Sequence, residues 1–324
     1  MANSRKSNST ELVARALDLA LSRHCQPHVP LSVAYSGGLD SSVLLHSLIQ
    51  AVGIGRLLAV HVNHGLSSHA DEWQRHCEAF CSRFAVSFHA IKVTVPRNTS
   101  EGLEAAARRV RYDALARKAP GAILLAHHAD DQAETLLHNL LRGSGVRGLA
   151  AMPGMSGRLV RPFLSLRRNT LIDYARHHDL VWCNDESNGD NRFTRNYLRN
   201  TVLPTIAQRF PQAAEQMMRC AARMGEAQKL LDELAENDAG AVPLVFPFPS
   251  DILISLPEHR ARNLLLVLLH RNGLKNPGEQ RLRNFIGQLF EARADRSPEI
   301  RLGAVCLKRK KKQIVIEQLH TPLA

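Results

Sequence analysis

Residues 31–52 read LSVAYSGGLDSSVLLHSLIQAV, and this stretch decides the fold. The apolar run at 31–36 is typical of a short buried strand, and it stops at two glycines. The segment that follows, 41–52, places its apolar residues at helical spacing. A strand that passes through a glycine turn into a helix predicts an α/β unit with an anion-binding loop, because the amino end of a helix offers free N–H groups.

The same alternation continues through the first half of the chain. Strands are predicted at 57–65, 86–93 and 122–128, and helices at 71–85, 101–119 and 129–143. Strands separated by helices indicate a doubly wound parallel sheet of the Rossmann-like kind. In such a sheet the ligand lies at the carboxyl ends of the strands, so we expect the loops after the first, second and fourth strands to converge on it.

The pattern changes after residue 150, and the domain boundaries follow from this change. A polar stretch at 185–196 is typical of a surface loop, helical signals run through 204–238, and a Pro-rich segment spans 242–250. We predict an N-terminal extension or helix at 1–28, a catalytic domain at 29–203, a helical connector with a Pro-rich linker at 204–250, and a small α+β domain at 251–324.

Composition excludes the membrane and secreted classes. The longest aliphatic run, at 264–269, is far shorter than the ~20 residues that a membrane span needs. The N-terminus has no apolar core of signal-peptide length, because Arg15 and Asp18 interrupt it. The six cysteines form no C-x-x-C pair, which favours buried thiols of a reduced, cytoplasmic protein over a metal site.

The charge is strongly positive, with 42 Lys and Arg against 30 Asp and Glu, a net charge of +12. Such an excess is typical of proteins with a polyanionic partner, nucleic acid first, because each phosphate contact releases counterions. A charge that serves only solubility is the alternative. The run KRKKK at 308–312 has the same two interpretations, attachment to tRNA or a solvated turn.

Residues 36–42 form the first candidate site. The glycines allow a sharp turn and a close approach to an anion, and three serine hydroxyls add donors. No lysine follows as in G-x-x-x-x-G-K-[ST], so the loop is not of the Walker type. Asp40 would repel a phosphate unless a cation bridges them, so it suggests Mg²⁺. A glycine turn with a serine helix cap is the alternative.

The second candidate site is HHADDQAET at 127–135. Asp131 and Glu134 are three residues apart at the start of a helix, so their carboxylates share one face. Helix capping would explain one acidic residue but not the whole cluster. Such a cluster could bind an ammonium group, hold Mg²⁺ or act as a base. For His127 and His128, ordinary hydrogen bonding at the end of a strand is the alternative to catalysis.

The motif SGGLDS resembles the pyrophosphate loop of the N-type ATP pyrophosphatases, which split ATP between the α and β phosphates. The segment at 127–135 is similar to the corresponding motif of the tRNA(Ile)-lysidine synthase family. Five further matches to that family lie between residues 59 and 200: AVHVNHGL (59–66), GLEAAARRVRY (102–112), RGSGVRGL (142–149), RPFL (161–164), and DESN with RNYLRN (185–200). The resemblance is strong over residues 30–205 and covers the C-terminal region only in general layout.

The resemblance implies a ligase that attaches L-lysine to C2 of the wobble cytidine of tRNA(Ile) with a CAU anticodon. ATP would first adenylate the cytidine, and AMP and pyrophosphate would be released. The residues expected to bind ATP are Ser36, Gly37, Gly38, Leu39, Asp40, Ser41, Ser42, His61 and Asn63. Those expected to carry the reaction are Asp40, Asp131, Glu134, Arg195 and Arg199, with Asp40 and Asp131 as Mg²⁺ ligands and Asp131 and Glu134 around the lysine amine.

Two further patterns lie beside the expected site. G-x-G-x-x-G at 143–148 follows a helix rather than a strand, so NAD or FAD binding is rejected, and the resemblance makes it a flexible segment near the substrate. Six arginines on the connections could bind phosphates or form a solvated basic surface. They are Arg142, Arg147, Arg161, Arg192, Arg195 and Arg199.

Three other functions compete with this interpretation. A tRNA thiolase of the same superfamily needs a sulfur carrier, and the absence of C-x-x-C argues against it. A small-molecule amidotransferase or NAD-type synthetase is disfavoured by the basic charge and the extra domain. A catalytically silent RNA-binding module is disfavoured by the intact Asp40, Asp131 and Glu134. The oligomeric state stays open, with a homodimer as one alternative.

Overall fold

The computed structural model describes residues 2–96, 102–184, 189–291 and 297–319. The chain forms two compact units, Met1–Gly225 and Glu226–Ala324. Each has its own hydrophobic core. Within the described residues, no helix is both long and apolar enough to cross a membrane.

The first unit is built on a six-stranded sheet. Its strands are β1 (Leu31–Ala34), β2 (Leu57–Asn63), β3 (Ser87–Lys92), β4 (Ala122–Leu124), β5 (Met155–Ser156) and β6 (Leu159–Val160). Their order is β3-β2-β1-β4-β6-β5, and every pair is parallel except β5 with β6. The predicted doubly wound parallel sheet is confirmed, with a short antiparallel edge added to it.

Helices follow the strands as the sequence predicts. The helices of this unit are α1 (Ala2–His24), α2 (Leu39–Val52), α3 (Ala70–Arg83), α4 (Leu103–Lys118), α5 (Ala129–Leu141), α6 (Val146–Leu149), α7 (Arg168–His177), α8 (Thr194–Tyr197), α9 (Leu203–Arg209) and the first part of α10 (Ala213–Ala239). The predicted fourth strand is too long. β4 ends at residue 124, and the chain after it turns out of the sheet to begin α5.

The core of the first unit joins β1 to the helices beside it. Val33 of β1, Leu44 of α2 and Leu17 of α1 are all fully buried. Burial of one such side chain contributes about 1.5–3 kcal/mol. The helix that precedes β1 therefore belongs to this unit, and the core holds the carboxyl end of β1 in place beneath the glycine loop.

The predicted helix at 204–238 is interrupted. The chain after α8 forms a π-helical turn, Leu198–Val202, which continues into α9. α9 ends at Arg209 and α10 begins at Ala213, with Pro211 between them. A proline has no backbone N–H and disfavours the helical conformation in the residue before it, which accounts for the break.

The second unit combines helices with an antiparallel sheet. After the end of α10 it contains α11 (Ser250–Ser255), α12 (Glu258–Arg271), α13 (Glu279–Glu291), β7 (Phe248–Pro249), β8 (Glu299–Leu302), β9 (Val305–Lys310) and β10 (Gln313–Gln318). The strand order is β7-β10-β9-β8. The expected small α+β domain is therefore present in this part of the chain.

The Pro-rich segment at 242–250 differs from the expected linker. Leu244 and Phe248 are buried in the second core, and Val242 and Phe246 pack against it. Apolar residues stand at every second position of this segment, with prolines between some of them. An extended chain with that period places one side on the core, so the segment is part of the folded unit.

Candidate active site

The glycine loop connects β1 to α2 and is closed by its own side chains. The Ser36 and Ser41 hydroxyls lie 3.0 Å apart, and Ser41 also donates to the carbonyl of Gly38 at 3.0 Å. Gly37 has φ +79°, which favours glycine, and a Cβ there would lie 2.8 Å from Sγ of Cys77. The hydroxyls expected to donate to a ligand therefore also fix the shape of the turn.

His128 caps α5 and faces the loop. The backbone N–H of Asp131 donates to Nδ1 of His128 at 3.4 Å, and the N–H of His128 donates back to Asp131 Oδ2 at 3.0 Å. Because Nδ1 accepts, the proton of a neutral imidazole is on Nε2. Nε2 lies 3.4 Å from Asp131 Oδ2 and 3.7 Å from Asp40 Oδ2. One buried imidazole thus connects the two predicted motifs.

Arg199 comes from the π-helical turn and joins the two acidic residues of α5. Its Nε donates to Glu134 Oε2 at 2.9 Å, and a terminal nitrogen donates to Asp131 Oδ1 at 2.7 Å. Glu134 is almost fully buried, and a buried carboxylate needs such a partner. The predicted pair of carboxylates, Asp131 and Glu134, is therefore not free, because the guanidinium of Arg199 already binds both.

Burial and charge shift the pKa values of these groups in different directions. Burial raises the pKa of Glu134, although Arg199 opposes the shift. Burial also raises the pKa of Asp131, but its interactions with His128 and Arg199 outweigh burial and hold that pKa below its ordinary value. The pKa of Asp40 is raised by burial against the opposing effects of His128 and Arg168. Asp131 is therefore the most strongly ionised of the three acids.

A cleft of about 570 Å³ opens beside this network at the carboxyl ends of the strands. β2 lines it with His61 and Asn63, α4 with Arg108 and Arg111, and the start of α5 with Asp131 and Glu134. Arg195 and Arg199 close another side. The loops after β2 and β4 thus converge on this cleft, whereas residues 36–42 of the glycine loop do not line it and adjoin the network through Asp40 and His128. The cleft has acidic and basic walls.

His61 and Asn63 line the cleft, and both are anchored by the protein. Nδ1 of His61 donates to the carbonyl of Tyr35 at 3.0 Å, which leaves Nε2 as an acceptor. The amide of Asn63 donates to Asp71 at 3.0 Å and to Gln74 at 3.1 Å. Nothing in these contacts tests their predicted role in ATP binding, which stays a prediction.

Arg108 and Arg111 form a basic wall of the cleft that was not among the predicted site residues. Arg111 Nε and His64 Nδ1 are buried and have no hydrogen-bond partner within the described chain. Burial, followed by the charge of Arg111, lowers the pKa of His64 to about 4, so this imidazole is neutral at pH 7. Arg108 and Arg111 both lie in the quoted segment 102–112, so the family match contained the signal that could have identified them.

His127 belongs to the same wall but is held differently from His128. Arg161 Nε donates to its Nδ1 at 3.3 Å, and Arg161 also donates to the carbonyl of Pro153 at 2.9 Å. Burial is the main reason why the pKa of His127 falls to about 3. The negative charge of Asp131 opposes this shift but is the smaller effect. This imidazole is therefore neutral at pH 7, with its proton on Nε2.

The six arginines of the connections do not act as one group. Arg161, Arg195 and Arg199 are close to the acidic cluster or line the cleft, and Arg195 lies 3.8 Å from Glu104. Arg192 instead pairs with Asp190 at 2.7 Å. The short helix α6 begins within the G-x-G-x-x-G segment. Residues 185–188, which carry the DESN match, lie outside the described part of the chain.

The expected Mg²⁺ ligands can be tested against this geometry. Asp40 Oδ1 is buried and has no hydrogen-bond partner among the described residues. Asp40 Oδ2 and Asp131 Oδ2 both lie near Nε2 of His128, at 3.7 and 3.4 Å, so the two carboxylates converge on one ring nitrogen. Carboxylate oxygens are the ligands that Mg²⁺ prefers, and an unpaired buried oxygen suits a cation. Asp40 therefore fits the ion, and Asp131 would have to share an oxygen that already accepts a hydrogen bond from Arg199 or from the N–H of His128.

Comparison with known proteins gives the family. Residues 9–206 match the model of the PP-loop domain (ATP_bind_3), and residues 251–315 match the TilS substrate binding domain. The tRNA(Ile)-lysidine synthase of Aromatoleum aromaticum is 41% identical over 290 residues, which are 87% of this chain and 68% of that relative. The chain belongs to the tRNA(Ile)-lysidine synthase family of PP-loop proteins.

Other members of the tRNA(Ile)-lysidine synthase family show the extent of the match. The synthase of Burkholderia pseudomallei is 43% identical over 298 residues, 88% of this chain and 61% of that relative. That of Pseudomonas putida is 47% identical over 250 residues, 72% of this chain and 58% of the relative. The chain thus spans about three fifths of the length of these two relatives.

One solved structure supports the fold of the family. The U34-tRNA thiolase NcsA from Methanococcus maripaludis, solved with its [4Fe-4S] cluster, has a TM-score of 0.57 over 68% of this chain and 80% of that chain. The two sequences are 15% identical, so the likeness concerns the fold alone. The fold class predicted from the sequence is confirmed by this neighbour and by the family model.

Proposed function

We propose that this protein uses ATP to ligate L-lysine to C2 of the wobble cytidine of tRNA(Ile) with a CAU anticodon. The observation that carries the proposal is the network Asp131–Arg199–Glu134, which borders a cleft and is connected through His128 to Asp40 of the glycine loop. The names of the relatives support the same reaction, since they are tRNA(Ile)-lysidine synthases. As an enzyme of tRNA, the protein would work in the cytoplasm.

The reaction would begin at the glycine loop. The cytosine C2 oxygen attacks the α-phosphorus of ATP, the bond to the bridging oxygen breaks, and pyrophosphate leaves. The free N–H groups at the start of α2 would bind phosphate oxygens, because a helix amino end carries partial positive charge. Mg²⁺ held by Asp40 and Asp131 would offset negative charge on the phosphates.

Lysine transfer would follow in the cleft. The ε-amine of lysine attacks C2, and AMP leaves with the electron pair of the C–O bond. Two carboxylates against one guanidinium leave one unit of negative charge at Asp131, Glu134 and Arg199, which suits an ammonium group. Burial raises the pKa of Glu134, so this carboxylate is the better proton acceptor of the two.

Arg195 and Arg199 have different surroundings in this scheme. Arg199 is fully engaged by Asp131 and Glu134, so its proposed role is to position these carboxylates. Arg195 lines the cleft, and its nearest acidic partner, the exposed Glu104, is 3.8 Å away, which is beyond hydrogen-bond distance. Arg195 is therefore available to a phosphate of the tRNA or of AMP. A basic wall near a nucleotide site agrees with the net charge of +12.

One assay tests the proposed function against its rivals. The protein is incubated with ATP, labelled lysine and transcripts of tRNA(Ile) carrying a CAU or a GAU anticodon. We expect label only in the CAU transcript, together with AMP and pyrophosphate. Pyrophosphate release without lysine in the RNA would contradict the proposal and favour another PP-loop reaction. Sedimentation of the same protein would distinguish a homodimer from a monomer.

A further inference from the structure

The glycine loop lacks a cation of its own. Residues 36–42 contain no Lys or Arg, although a leaving pyrophosphate carries several negative charges. Walker-type loops solve this problem with a lysine inside the motif. Besides the Mg²⁺ proposed at Asp40, any side-chain cation for this loop would therefore come from another part of the fold.

Most arginines near the two motifs already have partners. Arg199 pairs with Asp131 and Glu134, and Arg167 pairs with Asp130 at 2.9 Å. Arg161 donates to His127 and to a backbone carbonyl. An arginine that is satisfied in this way would have to give up a charge-assisted hydrogen bond before it could bind a phosphate.

Arg168 is not held in this way, and unlike Arg111 and Arg195, which line the cleft, it lies beside Asp40 of the loop. Its Nε lies 3.8 Å from Asp40 Oδ1, which is beyond hydrogen-bond distance, and 53% of its side chain is exposed. In the part of the chain that the structure describes, its guanidinium has no closer acceptor. A guanidinium with free donors beside the only acidic residue of the loop is suited to an anion that binds there.

The backbone of Arg168 is fixed relative to α5. Its N–H donates to Asp130 Oδ2 at 2.8 Å, and the N–H of Ala129 donates to the carbonyl of Leu166 at 2.8 Å. These two bonds attach the start of α7 to the start of α5, so only the side chain of Arg168 is free to move. A short rotation of that side chain would bring its terminal nitrogens to a ligand in the loop.

We propose that Arg168 binds the β- and γ-phosphates of ATP and the pyrophosphate that leaves, and so supplies the side-chain cation that the loop lacks. This inference rests on the proposed cleavage of ATP between the α and β phosphates. When that bond breaks, its electron pair stays on the leaving pyrophosphate. The guanidinium offsets the new charge through bidentate hydrogen bonds and takes no proton.

The test measures ligand binding to the full chain by calorimetry with Mg²⁺ present. The probes are inorganic pyrophosphate and AMP, and the variants are Arg168→Gln, Arg168→Lys and Arg167→Gln. We expect Arg168→Gln to weaken pyrophosphate binding by about tenfold or more and to leave AMP binding unchanged. Arg168→Lys should restore part of the affinity. Arg167→Gln removes the neighbouring charge, and we expect it to bind both probes as the parent protein does.

Three results would overturn the inference. They are unchanged pyrophosphate binding in Arg168→Gln, equal losses for AMP and pyrophosphate, and no pyrophosphate binding by the parent protein. Thermal unfolding of Arg168→Gln separates a loss of fold from a loss of contact, and the lysine variant keeps the test available if glutamine unfolds the chain. Because these titrations need neither tRNA nor lysine, the inference can hold even if the lysine-transfer assay fails.

Discussion

Arg199 holds the buried carboxylate of Glu134 with two nitrogens, Nε at 2.9 Å and a terminal nitrogen at 2.7 Å from the same oxygen. Arg199 stands on a π-helical turn, and such turns redirect side chains and are frequent at functional sites. The contact makes Glu134 part of a charged network with Asp131. Any change at Glu134 therefore also changes the partner of Arg199.

The first prediction concerns Glu134→Gln. The change removes one negative charge beside the cleft, so we expect a higher Michaelis constant for lysine or a halt of lysine transfer. A charged hydrogen bond in a buried site contributes roughly 1.5–3 kcal/mol, equivalent to about a tenfold to hundredfold change. Adenylation of the tRNA depends on the glycine loop and should remain detectable as ATP-dependent pyrophosphate release.

Glu104→Gln is the matched control for Glu134→Gln. It removes the same charge from the same cleft, but Glu104 is about half exposed and lies 3.8 Å from Arg195. We expect only a small effect of this control on lysine transfer. If Glu134→Gln lowered ATP use and lysine transfer by the same factor, Glu134 would belong to ATP or metal handling.

The second prediction concerns Asp40→Ala. Asp40 Oδ1 is buried and unpaired, and the proposed Mg²⁺ would take this oxygen as a ligand. We expect the variant to lose pyrophosphate release and to keep its affinity for tRNA, because the basic surface is unchanged. Pyrophosphate release and filter binding of tRNA measure the two effects separately. Turnover equal to that of the parent protein would remove Asp40 from the site.

Much of the fold could be predicted because its signals are local. A strand, a glycine turn and an amphipathic helix all lie within residues 31–52. The alternation of strand and helix signals then continues through β4 and α5. The Pro-rich segment was harder, because prolines usually indicate a linker. Its period of two places Leu244 and Phe248 in the second core, and only the packing of the unit shows which side is buried.

The candidate site could be predicted in part. Asp40, Asp131 and Glu134 stand in motifs, so the resemblance identified them. The contact between His128 and Asp40 joins residues 88 positions apart in the sequence, and no local pattern indicates it. The same is true of Arg168, which has no motif of its own and reaches Asp40 through the sheet topology.

The third prediction concerns the basic run at 308–312, which is not simply a solvated turn. Lys308 and Lys310 lie on β9, and both pair with Glu317 of β10. Glu317→Gln would release both lysines, so we expect tighter tRNA binding and a steeper dependence on salt. Neutralising the lysines of the run should flatten this dependence.

Glu258→Gln is the control for Glu317→Gln, because it changes the net charge by the same amount. It removes a partner of Arg262 on α12 and leaves the lysines of the run paired. Binding of the CAU transcript is measured between low and moderate salt for each variant. Equal salt slopes for Glu317→Gln, Glu258→Gln and the parent protein would show that the run does not contact the RNA.

The fourth prediction concerns pH and His46. This side chain is buried between α2 and α7, and its Nδ1 lies 3.0 Å from the Tyr174 hydroxyl. Burial is the main cause that lowers its pKa to about 4, with His178 and Arg83 adding to the shift. Below pH 6.5 His46 is protonated in the unfolded chain but stays neutral in the folded chain. The free energy of unfolding therefore falls as the pH decreases towards 4.

Denaturant unfolding at pH 7 and pH 5 checks the role of His46. Its share of the loss should be of order 1–2 kcal/mol between these two pH values. His46→Gln should be less stable at pH 7 because the packing changes, but its loss on going to pH 5 should be smaller. An equal loss in both proteins would show that His46 does not carry the effect.

The last prediction concerns Gly37→Ala in the loop. The φ of +79° costs an alanine about 1–2 kcal/mol, and its Cβ would lie 2.8 Å from the buried Sγ of Cys77. Gly38 is the matched control, because its φ of −76° suits any residue and a Cβ there meets its nearest neighbour, Ser36 Oγ, at 3.5 Å.

We expect a clearly lower melting temperature for Gly37→Ala and little change for Gly38→Ala. Adding Cys77→Ala to Gly37→Ala should recover the part of the stability loss that the contact with Sγ causes. The part that the positive φ causes should remain. Equal melting temperatures for the two glycine variants would show that the close approach of α3 to the loop does not constrain residue 37.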